Sequence, residues 1–347
     1  MRIAHVVYPY YPLPIKAYGG VERGVYLLAA EQAKQGHQVY VFAHPQSQVP
    51  GCKVVGCSPK HDGHGYKQTQ SVLYACRRGG FDIIHDHSPW GLLGSADCGC
   101  SVIRTVYGDP FKKYIHTLKQ DSIISFTTRA FATFYGYPNA PIIRPAVCAD
   151  PNTTPYNDGL RSKWLVFVGV MAEYKGPHTA IEWARQLGRS LLLLGPLQDR
   201  TFFETQIRPK CEKIFSDSRK AVEWINNVRV PTMVYGGIVG RDFIWDVYKQ
   251  AHATLVTSEC AEAMSLVVQE SMLTGCPVYA KAAGGIPEVM DGMGGVCSND
   301  IRVIVKYDRD NDYDPVAARA HICKNRCPDT MYNDCQKLYK EVIGHGQ

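Results

Sequence analysis

Short apolar runs alternate with stretches of helical periodicity along most of the chain. Residues 2–9, RIAHVVYP, read as a strand, 20–36, GVERGVYLLAAEQAKQG, as a helix and 37–44, HQVYVFAH, as the next strand. FDIIHDHS (81–88), SVIRTVYG (101–108), SIISFTT (122–128) and PIIRPAV (141–147) read as further strands. Such alternation predicts βαβ units and a parallel sheet covered by helices.

The pattern stops at 148–162, CADPNTTPYNDGLRS, which lacks periodicity and is rich in turn residues, so it reads as a linker. A second α/β series follows. KWLVFVGV (163–170) is a strand, Pro177 to Gly188 a helix, SLLLLGP (190–196) a strand, 201–215 a helix and MVYGGIV (233–239) a strand. Then come a helix at 242–251, a strand HATLVTS (252–258) and a helix SLVVQESMLTG (265–275). YDRDNDYD (307–314) reads as an acidic loop and 329–346 as a terminal helix. The expected architecture is α/β, with two Rossmann-like doubly wound domains facing across a cleft. The boundaries are 1–155 for the first domain, completed by the C-terminal helix 328–347, and 156–327 for the second.

Composition narrows the function classes. The 347 residues suffice for two cores, and 38 basic against 32 acidic residues give a net charge of +6. That excess suits anionic ligands or peripheral contact with an anionic membrane, but it is too small for a nucleic-acid footprint. MRIAHVVYPYYP is broken by Pro9 and Pro12 and has no signal-peptide pattern, and no run is long enough to span a membrane. Thirteen cysteines, several in apolar segments, fit reduced thiols in a cytoplasmic protein better than a disulfide framework. Neither Cys98-Gly-Cys100 nor the set His321, Cys323, Cys327 and Cys335 has the spacing of paired zinc knuckles.

The stretch ECAEAMSLVVQES (259–271) places Glu262 and Glu270 on either side of seven uncharged residues. In a helix, eight residues would separate them by roughly 12 Å along the axis and about 80° around it. Glycosidase carboxylate pairs stand about 5–9.5 Å apart, so these two are read as separate anchor points on one elongated ligand. Glu262 falls in the loop after a strand. The amides of Met264, Ser265 and Leu266 would open the next helix as a site for anions or hydroxyls. Glu270 would sit in that helix, able to accept both hydrogens of a vicinal diol.

With these residues in view, the sequence resembles the retaining, GT-B-fold nucleotide-sugar glycosyltransferases of family 4 (glycosyl transferases group 1). The resemblance is carried by YGGVERGVYLLAAEQAKQGHQVYVFA (18–43), FDIIHDH (81–87), FVGVMAEYKGPHTAIEWAR (167–185) and EAMSLVVQESMLTGCPVYAKAAGGIPEV (262–289), in the family's order. It implies that Glu270 binds the donor ribose and that Glu262, with the following amides, holds the donor sugar. Lys175 would meet the donor diphosphate and stabilise charge on the leaving phosphate. Gly19, Gly20, Gly169 and Gly236 would let backbone approach the donor. Glu22, His85, Asp86 and Tyr107 fall on the acceptor side, and His87 is expected as a catalytic group contacting sugar.

The expected activity is transfer of a hexose from a nucleoside diphosphate sugar, with a UDP-sugar such as UDP-glucose favoured and a GDP-sugar the alternative. The acceptor would be a sugar, a lipid-linked group or a glycan, as in carbohydrate biosynthesis. The resemblance implies a front-face mechanism with no metal cofactor. Asp308-Arg309-Asp310 mimics a metal-binding DxD but is read as solvated loop. Three positions depart from the family pattern. Val170 replaces an arginine expected on the diphosphate, Tyr107 replaces a histidine, and Met264-Ser265 replaces Phe-Gly after the first glutamate. Arg104, Arg129, Arg144 and Arg241 are candidates for the missing cation. The departures leave two rivals: a nucleotide-sugar-binding protein that has lost transfer, and a GT-B sugar-nucleotide epimerase.

Overall fold

The computed structural model describes residues 1–16, 19–58, 66–91, 93, 96–108, 123–148, 150, 153–310 and 312–344. Within the linker read at 148–162, residues 149, 151 and 152 lie outside this set. The chain divides into two compact units, Met1–Ala149 with Arg326–Gln347, and Asp150–Asn325.

The first unit opens with β1 (Arg2–Val6), α1 (Gly20–Lys34), β2 (Gln38–Ala43), β3 (Lys53–Gly56) and α2 (Tyr66–Arg77). It continues with β4 (Ile83–Asp86), β5 (Ser101–Val106), β6 (Ile123–Phe126) and α3 (Arg129–Phe134). All six strands are parallel, in the order β3-β2-β1-β4-β5-β6. The strand read at 141–147 is not formed; one bridge, Phe126 to Ile142, is all that joins it to the sheet. Pro141 and Pro145 remove two of the amide donors that a ladder needs.

The second unit contains β7 (Leu165–Val168), α4 (Pro177–Gln186), β8 (Leu191–Leu194), β9 (Lys213–Ile214), α5 (Ser218–Asn226) and β10 (Met233–Tyr235). After them come α6 (Arg241–Gln250), β11 (Ala253–Val256), α7 (Leu266–Leu273), β12 (Val278–Ala280), α8 (Ile286–Met290), β13 (Gly295–Cys297), α9 (Ile301–Asp310) and α10 (Pro315–Asn325). The seven parallel strands run β13-β12-β11-β7-β8-β10-β9. The chain then returns to the first unit as α11 (Pro328–Gly344). There Met331, Cys335 and Tyr339 pack with Ile3, Leu28 and Ile83.

Two readings change. The helix expected at 201–215 is a single α turn, then π and 3-10 turns, and ends as β9, with Pro209 interrupting regular helical bonding. The acidic loop expected at 307–314 is helical through Asp310. Asp308 accepts from Arg189 Nη2 at 3.0 Å, His252 Nε2 at 2.8 Å and Tyr279 OH at 2.9 Å. Burial alone would raise its carboxyl; the bonds from His252 and Arg189, with the charge of Arg189, hold it down at about 2. Its carboxylate is tied to these three side chains rather than solvated in a loop.

Both sheets are covered by clusters of buried apolar side chains. Leu191 to Leu194 are fully buried, their side chains alternating between two clusters, one on each face of the sheet. A parallel strand covered on both faces reads as an unbroken apolar run, and this one does. Among the described residues no helix is long and apolar enough to cross a membrane.

Candidate active site

Each sheet has one place where the strand order reverses. In the second unit β7, β8 and β10 step outward on one side, and β11 returns to the other side of β7. The carboxyl ends of adjacent strands β7 and β11 thus mark the order reversal, the position at which open α/β sheets bind their ligands. The loop after β7 carries Lys175 and the loop after β11 Glu262.

The two side chains meet. Lys175 Nζ lies 2.6 Å from Glu262 Oε1, with the side chains 22% and 12% exposed. Ser258 Oγ donates to the same oxygen at 2.5 Å. A carboxylate has about four acceptor positions, so two bonds at Oε1 leave Glu262 capacity for ligand hydroxyls.

The backbone around the pair is built for close approach. Gly176 has φ 70°, and a Cβ there would stand 1.9 Å from Thr257 O; Thr257 Oγ1 in turn donates to Gly176 O at 2.7 Å. The lysine loop is thus pinned against the end of β11. A Cβ on Gly284 would come within 2.3 Å of Glu262 O, which accepts from Gly285 N at 2.7 Å. The Gly284-Gly285 turn therefore wraps the backbone of Glu262. Gly169 closes against Gly195, whose Cβ would meet Gly169 O at 1.8 Å, and Gly195 N donates to Gly237 O at 2.9 Å. The carboxyl ends of β7, β8 and β10 thus form a glycine-lined floor. Gly236 is bare for another reason. A Cβ there would press Leu194 and Ala221 at 2.8 and 2.9 Å, so its lack of a side chain serves packing under α5.

Helix α7 begins at Leu266, with Ser265 at its N-cap in a left-handed conformation, φ 40°. Gln269 N donates to Ser265 O at 3.4 Å, which leaves the amides of Leu266, Val267 and Val268 without a partner inside the helix. The amide set is shifted from the expected Met264, Ser265 and Leu266. Met264 itself is only 7% exposed, and Gln269 Nε2 donates to its carbonyl.

Glu270 stands one turn further on, 3% exposed. Arg241 Nη1 donates to its Oε1 at 2.6 Å and Tyr248 OH to its Oε2 at 3.1 Å. Helix α7 carries no other charge because Val268 to Leu273 are all buried. Of the four arginines considered for the missing cation, Arg241 alone lies in this unit, stacked over Trp245. Arg144 pairs with Asp334, Arg129 donates to the carbonyls of Pro138 and Ala140, and Arg104 donates to Pro89 O beside Asp86. Val170, where the cation was looked for first, is 4% exposed. Sequence reasoning passed over Gly176, Ser258 and Tyr248. The Lys-Gly-Pro sequence before α4 was the available signal for the first, since Pro177 at the helix start requires a cap before it.

In the first unit Gly19 caps α1 with φ 155°, and a Cβ there would strike Ile15 Cδ1 at 2.0 Å. Gly20 is the first helical residue, and Glu22 follows in the first turn. Burial raises the carboxyl of Glu22 above the usual range. The order reversal here falls between β1 and β4, and it gathers His5, His85 and His87. His5 Nδ1 lies 2.9 Å from His87 Nε2 and its Nε2 2.6 Å from Gln32 Oε1. His87 Nδ1 meets Tyr107 OH at 2.9 Å; His85 meets Tyr339 OH at 2.7 Å and Thr105 Oγ1 at 2.6 Å.

Burial pushes all three imidazoles down, His5 to about 4 against its bond to Gln32, and His85 and His87 well below the ordinary value. His87 was expected to contact sugar, but it is 2% exposed with both ring nitrogens bonded within the chain. One ring nitrogen from each of the three lies within 4.8 Å of those of the other two, and the rings of His85 and His87 stack with centroids 4.0 Å apart and 29° between their planes. Burial also raises Tyr107, which His87 holds, and raises Asp86 despite the nearby charge of Arg104. Asp86 Oδ1 accepts from Ser88 N at 2.8 Å.

Residues 18–142 match the family model for Glycosyltransferase Family 4, and 156–297 that for Glycosyl transferases group 1. A comparison with curated protein sequences gives no match. Among solved structures, the fold is similar to that of AviGT4, a glycosyltransferase involved in avilamycin A biosynthesis, at TM-score 0.74 and 21% identity, covering 99% of this chain and 98% of that one. It is similar to Anabaena HepE in complex with UDP-glucose, at 0.73 and 15%, covering 99% and 100%. Sucrose-phosphate synthase from Thermosynechococcus elongatus aligns at 0.70 and 17%, covering 99% of both chains. With both family models matched in order on two parallel Rossmann-like units, the chain belongs to the family 4, group 1 glycosyltransferases and has their GT-B fold.

Proposed function

We propose that the enzyme moves a hexose from a UDP-sugar to a sugar, lipid-linked or glycan acceptor, with retention at the anomeric carbon and without a metal. The observation that carries this reading is the Lys175–Glu262 pair at the order reversal of the second unit. A lysine beside a floor of glycine backbone suits a diphosphate, whose charge grows as the bond to the sugar breaks. Glu262 accepts from sugar hydroxyls while Lys175 and Ser258 fix its orientation, and those two bonds draw charge from the oxygen, which disfavours its use as a nucleophile. The leaving phosphate oxygen then takes the acceptor's proton on the face it departs from.

Glu270 binds the ribose diol, with Arg241 supplying the cation that position 170 lacks. The amides at the start of α7 add a positive dipole end toward the donor. In the first unit, Tyr107 is the acceptor-side polar group and His87 its positioning partner. The UDP preference rests on the similar fold of HepE, a protein solved with UDP-glucose.

A thermal-shift panel of UDP-, GDP-, ADP- and dTDP-sugars, followed by mass detection of transfer with and without chelator, tests the reading. The expected result is a stabilising shift with a UDP-sugar and turnover that chelation leaves unchanged. Binding without turnover would favour a protein that has lost transfer, and donor isomerised without acceptor would favour an epimerase.

A further inference from the structure

The first unit carries a cavity of about 770 Å³ at the amino-terminal end of its strands. It is lined by Arg2 at the start of β1, Lys53 at the start of β3, and Arg77 and Arg78 at the end of α2. The carboxyl ends of the strands, where ligands of this fold class bind, point the other way. Among the described residues no acidic residue lines the cavity, and none of the four cations has a carboxylate partner within ion-pair distance.

Ordinary structural reasons account for part of this charge. Arg77 and Arg78 complement the dipole at the C-terminal end of α2, and Lys53 lies on an edge strand, where a charge discourages pairing with other chains. Arg2 has no such reason. Its Nη1 donates to Gly79 O and its Nη2 reaches Tyr40 OH at a long 3.4 Å, while its buried Nε has no partner. Asp82, the nearest acid in the sequence, accepts from the backbone amide of Arg2 at 2.7 Å rather than from the guanidinium. Arg2 is half-buried, and its underpaired guanidinium stands beside three exposed cations, a concentration of positive charge that an anion would relieve.

Aromatic rings separate these charges. Tyr40 lies between Arg2 and Lys53, each 5.4 Å from its centroid, Phe81 is 5.7 Å from Arg2, and the exposed ring of Tyr74 lies 5.4 Å from Arg78. Guanidinium forks and an ammonium recognise phosphate oxygens, and flat rings beside them accept a flat or ring-shaped organic group.

We infer that this cavity binds a phosphate ester, with the phosphate among Arg2, Lys53, Arg77 and Arg78 and the organic part against Tyr40 and Tyr74. The ester is either a free phosphorylated small molecule or the headgroup of an anionic lipid. Both sources offer the same monoanionic or dianionic oxygens to the same cations.

The test uses the full chain. Calorimetric titration with phenyl phosphate and with inorganic phosphate reads the free ester; flotation with phosphatidylcholine vesicles, with and without phosphatidylglycerol, reads the lipid. The expected result is binding in one of the two arms, weakened at least about tenfold by the double variant Lys53→Glu with Arg78→Glu and retained in Lys175→Ala. Tyr74→Ala, an exposed truncation, is expected to bring phenyl phosphate down to the affinity of inorganic phosphate, or to reduce flotation. Far-UV circular dichroism confirms folding of each variant. Binding in neither arm, binding indifferent to the charge reversals, or binding lost in Lys175→Ala would overturn the inference.

Discussion

Lys175 and Glu262 are 87 residues apart in the chain, yet their side chains pair at 2.6 Å because β7 and β11 are neighbours in the sheet. Each neutralises the other, so loss of either leaves a partly buried charge behind. Lys175→Ala is expected to lower transfer by about 10² to 10³, the scale of removing one stabiliser of developing charge. A Lys175→Arg variant should recover only part of it, because a planar fork does not reproduce a point charge. Steady-state rates with the preferred donor check both.

The Arg241–Glu270 pair makes a separate prediction about stability. Arg241→Ala deprives Glu270, 3% exposed, of that cation while the Tyr248 hydroxyl stays, and should cost about 2–4 kcal/mol in urea unfolding. Arg241→Met combined with Glu270→Gln removes both charges and should restore much of that stability while leaving donor binding lost. A double variant that recovered donor binding would show that neither charge is needed there.

Gly176 is expected to resist substitution more strongly than other left-handed glycines. Gly188 has φ 63° and nothing near its missing Cβ, whereas Gly176 faces Thr257 O at 1.9 Å. Gly188→Ala should cost about 1–2 kcal/mol, the penalty of the conformation alone. Gly176→Ala should cost clearly more and displace Lys175, which thermal melts and donor titration would read together.

The histidine network sets a pH dependence. His5 is held at about 4 in the folded chain against 6.5 unfolded, chiefly by burial. Its folded value is depressed, so the unfolded chain takes up the proton first. The stability is therefore full above pH about 6.5 and is lost as pH falls toward 4, by about 3 kcal/mol from this residue. His85 and His87 act in the same direction. Chemical unfolding across that window should show the slope, and His5→Gln should flatten it.

The architecture was legible from the sequence because buried parallel strands are near-continuous apolar runs, and 191–194 could be nothing else. Short or exposed elements were not: β3 has two exposed and two half-buried positions, and α2 buries only Gln68 and Val72, so neither has a strong period. The placing of Glu262 in a loop and Glu270 in the helix after it was readable from the pattern. Their partners were not. Arg241 and Tyr248 approach Glu270 from a different helix, and Ser258 reaches Glu262 across a turn whose form depends on Gly284-Gly285. The surroundings of His87 were hidden for a related reason: a histidine at a strand end gives no sign of whether its ring turns outward or, as here, inward to His5 and Tyr107.

If Lys175 and Glu270 act on one bound nucleotide sugar, removing either must lower its turnover by about 10² or more. The direct measurement is consumption of the UDP-sugar picked out by the thermal panel, followed by mass spectrometry for the wild-type chain, Lys175→Ala and Glu270→Ala. Turnover is expected in the wild type and a fall of that size in both variants, with circular dichroism unchanged; undiminished turnover in both variants would contradict the shared role.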